Sequence, residues 1–147
     1  MDMEKMEKLA LGTVAGGIAY FLLGGLIYGS LLTGLYEANL GSATDAMRDT
    51  PIWGTLVFSQ FTLGALVTYV LVLAKVDTLT GGLKTGAAFG LLLGLSISFD
   101  MYSVTNWMTL TAASVDSLVW MARVSLSAGG IGLVLGMGTK RGSPAVA

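Results

Sequence analysis

Four long apolar segments alternate with short polar connectors along the chain. We place the segments at residues 9–36, 51–74, 85–107 and 116–138. Each is long enough to cross a bilayer as an α-helix, which takes roughly 20 mainly apolar residues. Segments and connectors together use nearly all of the sequence, so the pattern predicts a single transmembrane domain, residues 1–147. The predicted fold is an all-α membrane protein, a bundle of four transmembrane helices.

Glycines recur at four-residue intervals inside these segments. In a membrane helix, small residues allow the backbones of neighbouring helices to approach closely. The glycine faces exceed what four helices need among themselves, which favours packing against further helices as well. The glycines predicted to pack helices are Gly12, Gly16, Gly25, Gly29, Gly86, Gly90, Gly94, Gly132 and Gly136.

Two charged residues, Asp100 and Arg123, interrupt the apolar segments. An ionisable group in hydrocarbon is costly, so it normally faces the bundle interior and has a partner. Each lies about 10 Å inside the end of its predicted helix, at a rise of about 1.5 Å per residue. Consecutive antiparallel helices are usually neighbours, so we expect Asp100 and Arg123 to form an ion pair. Gln60 and Tyr28 lie at the same predicted depth and complete an intramembrane polar layer.

This polar layer has three interpretations. The first is a satisfied hydrogen-bond network that fixes the register of the helices. The second is a proton or cation site, or a polar pocket, because intramembrane ionisable groups often mark pathways. In the third, Arg123 extends to the outer headgroups. We favour the first, since one acid paired with one base leaves no spare titrating group.

Composition supports a membrane protein and excludes several kinds of chemistry. The 147 residues are 54% hydrophobic and 12% charged, against roughly 25% charged residues in soluble domains. Cysteine and histidine are both missing from the sequence, which excludes thiol chemistry and removes the usual general base and metal ligand. We therefore expect no enzyme activity, no metal and no cofactor. A net charge of -1 gives no basic surface for nucleic acid.

The basic residues near the ends of the segments predict the orientation. Cytoplasmic connectors carry an excess of lysine and arginine. Arg48 alone marks one side, and six bases mark the other, so we expect both termini in the cytoplasm. Those six are Lys5, Lys8, Lys75, Lys84, Lys140 and Arg141.

The third segment runs from glycines at four-residue spacing into a Tyr-x-x-Thr-Asn sequence at residues 102–106. This pattern resembles small bacterial four-helix membrane proteins of unknown function, in which such a segment likewise ends the third helix. The resemblance implies a multi-pass protein of the bacterial cytoplasmic (inner) membrane and marks Tyr102, Thr105 and Asn106 as typical of the family. It implies no activity, substrate or cofactor, and Asp100 has no counterpart in it.

Two functions of different classes are consistent with the sequence. The first is a structural or accessory subunit that lies in the lipid bilayer and packs through its glycine-rich faces, as a homo-oligomer or in a larger membrane complex. The alternative is a small-solute or ion/proton transporter or channel that uses the Asp100/Arg123 polar layer.

Overall fold

The computed structural model describes residues 3–43, 48 and 50–140, except for the side chains of residue 4 and residues 138–140. All of the regular elements in this part of the chain are helical. A π-helical turn, Ile27–Leu31, extends the first helix. The α-helices are α1 (Met3–Leu26), α2 (Thr33–Ala38), α3 (Trp53–Leu73), α4 (Leu79–Val104) and α5 (Leu110–Lys140).

Four helices are long and apolar enough to span a membrane, which confirms the predicted all-helical chain with four candidate spans. The second span, at α3, agrees closely with the prediction, whereas the ends of the other three are displaced. The candidate spans are Lys5–Leu31, Trp53–Leu73, Leu79–Val104 and Leu110–Met137.

The first segment is not the continuous helix predicted at residues 9–36. After the π-helical turn, Leu32 adopts φ -115° and ψ 7° and interrupts the helix before α2 begins. A π-helical turn takes one more residue per hydrogen-bonded ring than an α-helix, and it changes the direction of the side chains that follow. Tyr28 lies in this turn and Tyr36 lies in α2, so the interruption sets where both rings point.

The helices α4 and α5 both begin earlier than predicted. Thr78 caps α4, because its hydroxyl accepts a hydrogen bond from the Gly81 backbone N–H at 3.1 Å. The predicted start at residue 85 therefore lies more than a turn inside the helix. In the same way, α5 begins at Leu110 rather than at residue 116, so Asp116 is an interior residue and not a first-turn one.

At the centre of the bundle lies α5. It packs against α4 along most of its length and against α1 on its other side, while α3 packs mainly on α1. Half of the candidate span in α5 is buried, at 50%, compared with 17% in α4. The helices α3 and α4 barely touch. The buried core includes Tyr20, Leu71, Val124 and Ile131.

A ridge of glycines brings α4 against α5. A Cβ atom added to Gly90 would lie 2.7 Å from the Trp120 carbonyl oxygen, and one added to Gly94 would lie 2.7 Å from the Ser117 carbonyl oxygen. Gly86 meets the same helix in the same way. Side chains larger than hydrogen at these positions would force the two backbones apart.

The other predicted packing glycines divide into two groups. Gly12 and Gly16 lie against α3, and Gly132 and Gly136 lie against the connector before α4; their closest neighbours include Thr68, Gly64, Thr78 and Asp77. By contrast, a Cβ added to Gly25 or Gly29 would meet no atom within 4 Å. Among the described residues, these last two glycines therefore pack against no other helix.

The first and third connectors meet at one end of the bundle. The Gly41 N–H donates to the Trp107 carbonyl at 3.0 Å, and the Thr109 N–H donates to the Asn39 carbonyl at 3.1 Å. The Thr109 hydroxyl also bonds the Asn39 side-chain oxygen at 3.1 Å. The four long helices consequently alternate in direction, with the second connector at the opposite end.

Candidate functional site

A buried carboxylate on α5, that of Asp116, accepts hydrogen bonds from three other elements. Its Oδ1 accepts from the Tyr28 hydroxyl at 2.9 Å and from the Tyr36 hydroxyl at 2.7 Å. Its Oδ2 accepts from the Ser98 hydroxyl at 2.7 Å. Asp116 is 9% exposed. Hydrogen bonds to a charged acceptor are stronger than neutral ones, so this carboxylate joins α5 to the π-helical turn, α2 and α4.

The two tyrosines reach one oxygen because the helix that carries them is interrupted. In a continuous α-helix, Tyr28 and Tyr36 would lie about 12 Å apart along the axis. The π-helical turn and the break at Leu32 instead bring the ring centroids to 5.5 Å. Burial and the adjacent carboxylate raise the pKa of the Tyr36 hydroxyl above its usual range, so the hydroxyl keeps its proton and remains a donor.

Arg123 lies about two turns further along α5, close to the midpoint of this 31-residue helix. Its Nη2 donates to the Tyr20 carbonyl oxygen at 2.8 Å and to Oε1 of Gln60. Its Cζ lies 5.5 Å from the centroid of the Tyr20 ring and 5.7 Å from that of Tyr28. Arg123 is 7% exposed, and its buried Nε makes no hydrogen bond to any residue that the structure describes.

Space for the guanidinium comes from a glycine on α1. A Cβ atom added to Gly24 would lie 2.7 Å from Nη2 of Arg123. Tyr28 then links the two charges, because its hydroxyl bonds Asp116 while its ring lies beside Arg123. Within the described residues, the hydrogen bonds of Arg123 go to Tyr20 and Gln60 and not to the carboxylate.

Three of the four residues predicted to share a polar layer do meet: Arg123, Gln60 and Tyr28. The predicted ion pair between Asp100 and Arg123 is wrong. Asp100 is exposed, because the ridge that faces α5 continues from Gly94 to Ser98, and a residue two positions later points about 200° away around the helix. Asp116 is the acid that lies on the buried side.

The sequence contained one indication of this network that the prediction did not use. Asp116 and Arg123 are seven residues apart, which places both on one face of a helix that extends through them. Because the predicted fourth helix starts at Asp116, the prediction placed the Asp116 carboxylate at a helix end. Ser98 could have been found as the next position of the glycine ridge, whereas Tyr36 and Gly24 depend on the shape of the first span.

The segment that resembles a family ends α4 and joins the connectors. The Thr105 hydroxyl donates to the Met101 carbonyl at 2.6 Å, and the Asn106 carbonyl accepts from the Ala43 N–H at 3.0 Å. The Tyr102 side chain is 40% exposed. The contacts of Thr105 and Asn106 are therefore those of a helix end, outside the buried network.

A cleft between α3 and α5 includes Arg123 in its wall. It has a volume of about 480 Å³, and its walls combine apolar and polar side chains from α3 and α5, among them Phe58, Gln60, Thr62, Leu66, Trp120 and Arg123. A second depression, of about 430 Å³, lies on α4 alone and contains Ser96, Asp100 and Ser103. The cleft is lined by residues of α3 and α5, whereas the depression lies on the outward face of α4.

Comparison of the chain with protein-family models, with curated proteins and with solved structures found no match. The resemblance to small bacterial four-helix membrane proteins stays a prediction.

Proposed function

We propose that this chain is a multi-pass protein of the bacterial cytoplasmic membrane that acts, without enzymatic activity, as a structural or accessory subunit. Four helices long and apolar enough to span a membrane support its placement in a bilayer. The resemblance of the third segment supports the bacterial inner membrane. Both termini and the second connector face the cytoplasm, which the distribution of basic residues supports.

One observation supports the accessory role above all: the polar face that α4 directs away from α5. Ser96, Asp100 and Ser103 share this face at helical spacing, and all three are exposed within the candidate span Leu79–Val104. Asp100 makes no hydrogen bond or ion pair with the described residues. An acid on the outer face of a membrane helix normally has a partner, so the proposal gives it one from another subunit.

A second open face lies on the first span. Gly25 and Gly29 leave open space around their α-carbons, and glycines four residues apart are a common contact surface between membrane helices. Since this chain's own helices do not use these glycines, they are available to a helix of another subunit. That subunit is either a second copy or a different membrane protein, and both are compatible with the proposed role.

Native mass measurement after extraction in a mild detergent tests the accessory role. We expect an oligomer of defined size or a co-purifying membrane protein, and we expect Asp100→Leu to release the partner. Asp77→Leu is the matched control, because it removes an exposed acid from the second connector without changing α4. A monomer with no companion protein in the unmodified chain would contradict the proposal.

A second candidate function is a small-solute or ion/proton transporter or channel. The observation that favours it is the buried network of Asp116 and Arg123, with a guanidinium Nε that has no partner. In this second hypothesis Asp116 takes the role that the sequence analysis gave to Asp100, because Asp116 is buried and Asp100 is exposed. Asp116→Asn should then abolish proton or solute flux into proteoliposomes while circular dichroism stays unchanged, and Asp100→Asn should have no effect. Undiminished flux in Asp116→Asn would exclude this candidate.

A further inference from the structure

Among the residues that the structure describes, no carboxylate bonds the buried guanidinium of Arg123. Asp116, the acid on the same helix, is seven residues away, about 10 Å along the axis between the two backbone positions, and its carboxylate oxygens already accept hydrogen bonds from three hydroxyl groups. The acceptors that Arg123 does have, the Tyr20 carbonyl and the Gln60 amide, are neutral. A buried charge that lacks a paired charge is strongly unfavourable, so an anionic group fits beside it.

The cleft beside this guanidinium has the form of a ligand site. Its volume of about 480 Å³ falls within the range of roughly 300–1,000 Å³ that is typical of small-molecule pockets. Phe58, Leu66 and Trp120 supply apolar walls, while Gln60 and Arg123 supply polar groups at one place. The cleft is open at the side, where Phe58 is 73% and Leu66 44% exposed, so an apolar chain enters from the surrounding hydrocarbon.

We infer that this cleft binds an amphiphile with a carboxylate head and an apolar chain, and that Arg123 holds the carboxylate. The inference is independent of the accessory role, since the cleft is lined by residues of α3 and α5 and does not include Asp100. Arginine forms bidentate hydrogen bonds with carboxylates and with phosphates. The negative charge alone therefore does not distinguish a carboxylate from the phosphate of a lipid headgroup.

Depth decides between the two oxyanions. Arg123 lies about 20 Å from the start of the 31-residue helix α5, whereas a lipid phosphate lies at the surface of a hydrocarbon core roughly 30 Å thick. A phospholipid headgroup would have to be drawn to the middle of the bilayer with its polar substituents. A single carboxylate on one chain brings far less polar surface to that depth, which favours a long-chain carboxylic acid.

Tryptophan fluorescence provides the test, because Trp120 lines the cleft and the chain has three tryptophans. In the Trp53→Phe/Trp107→Phe background, Trp120 is the single tryptophan. We expect brominated stearic acid to quench its emission saturably in a nonionic detergent. Brominated stearyl alcohol should need roughly a 10- to 100-fold higher concentration, which corresponds to the loss of a hydrogen-bonded charge pair. Equal quenching by the acid and the alcohol would overturn the inference.

Matched threonine variants locate the binding in the cleft. Thr62 lines the cleft and Thr55 does not, but both are exposed on α3 and both donate to a backbone carbonyl of the preceding turn at 2.9 Å. Thr62→Leu should raise the concentration needed for quenching by roughly tenfold, since the added side chain occupies the cleft. Thr55→Leu should leave it unchanged. Identical behaviour of the two variants would overturn the assignment to this cleft.

Two further measurements test the role of the Arg123 charge and the chemical class of the ligand. Arg123→Gln should remove the difference between the acid and the alcohol, and a preserved difference would contradict the role of Arg123. Brominated phosphatidylglycerol should quench Trp120 only at higher concentrations than the acid. Stronger quenching by that lipid would assign the site to phospholipid and overturn the proposed carboxylate ligand.

Discussion

Two residues of α5, Asp116 and Arg123, receive the polar contacts of the other long elements. Counting residues from the segment ends placed Arg123, Gln60 and Tyr28 at one depth, and in the structure Arg123 bonds Gln60 and lies beside the Tyr28 ring. The same count put Asp100 beside them, because depth along a helix says nothing about direction around it. Direction is set by the glycine ridge, which turns Asp100 outward. The acid of the site was therefore missed, although its base was found.

Gly24 and Gly25 form a matched pair for testing the space around Arg123. Gly24→Ala should lower the free energy of unfolding by about 1–3 kcal/mol, because the new methyl group displaces a guanidinium that is bonded on two sides. Gly25→Ala meets open space and should leave it unchanged or raise it by up to about 1 kcal/mol. Reversible unfolding in mixed micelles measures both; equal effects would contradict the described position of Arg123.

At the level of the helices, the lengths of the apolar segments predicted four spans. They did not predict where three of these spans begin or end. The residues before Asp116 are small or mildly polar, so they were assigned to a connector. Yet Ala112 and Ala113 are fully buried, and alanine is the best helix former, so the helix extends through them. The break in the first span could not be predicted from sequence, because its residues are as apolar as those of an uninterrupted helix.

The contact between α4 and α5 depends on glycine where the two backbones approach. Gly90→Ala should lower the free energy of unfolding by about 1–3 kcal/mol, since the added methyl group meets the Trp120 carbonyl, which cannot rotate away. Gly130→Ala is the control on α5, because a Cβ there meets no atom within 4 Å. The same unfolding measurement compares them. A Gly90→Ala protein as stable as Gly130→Ala would show that the two helices are not packed this closely.

For the molecule as a whole, α5 is enclosed while α4 leaves most of its surface open. This asymmetry leaves the outward face of α4, which contains Asp100, exposed. The sequence predicted that the first and third connectors lie on one side, and their hydrogen bonds confirm that they share one end of the bundle. Which side of the membrane that end faces depends on the positive-inside distribution and stays a prediction.

Single cysteines test that orientation cleanly, because the natural sequence has none. Ser42 and Asp77 are exposed in the first and second connectors. A membrane-impermeant maleimide should label Ser42→Cys on intact cells and should label Asp77→Cys only after permeabilisation. The reverse pattern would place both termini outside and contradict the predicted topology.

The central claim is that Asp116, and not Asp100, is the acid that joins the helices, and a comparison of Asp116→Asn with Asp100→Asn tests it most directly. Each variant replaces one carboxylate by an amide of the same size. Asp116→Asn should lower the free energy of unfolding in mixed micelles by about 2–4 kcal/mol, because three hydroxyl donors lose a charged acceptor. Asp100→Asn should leave the stability of the monomer unchanged. A protein destabilised by Asp100→Asn but not by Asp116→Asn would contradict the account.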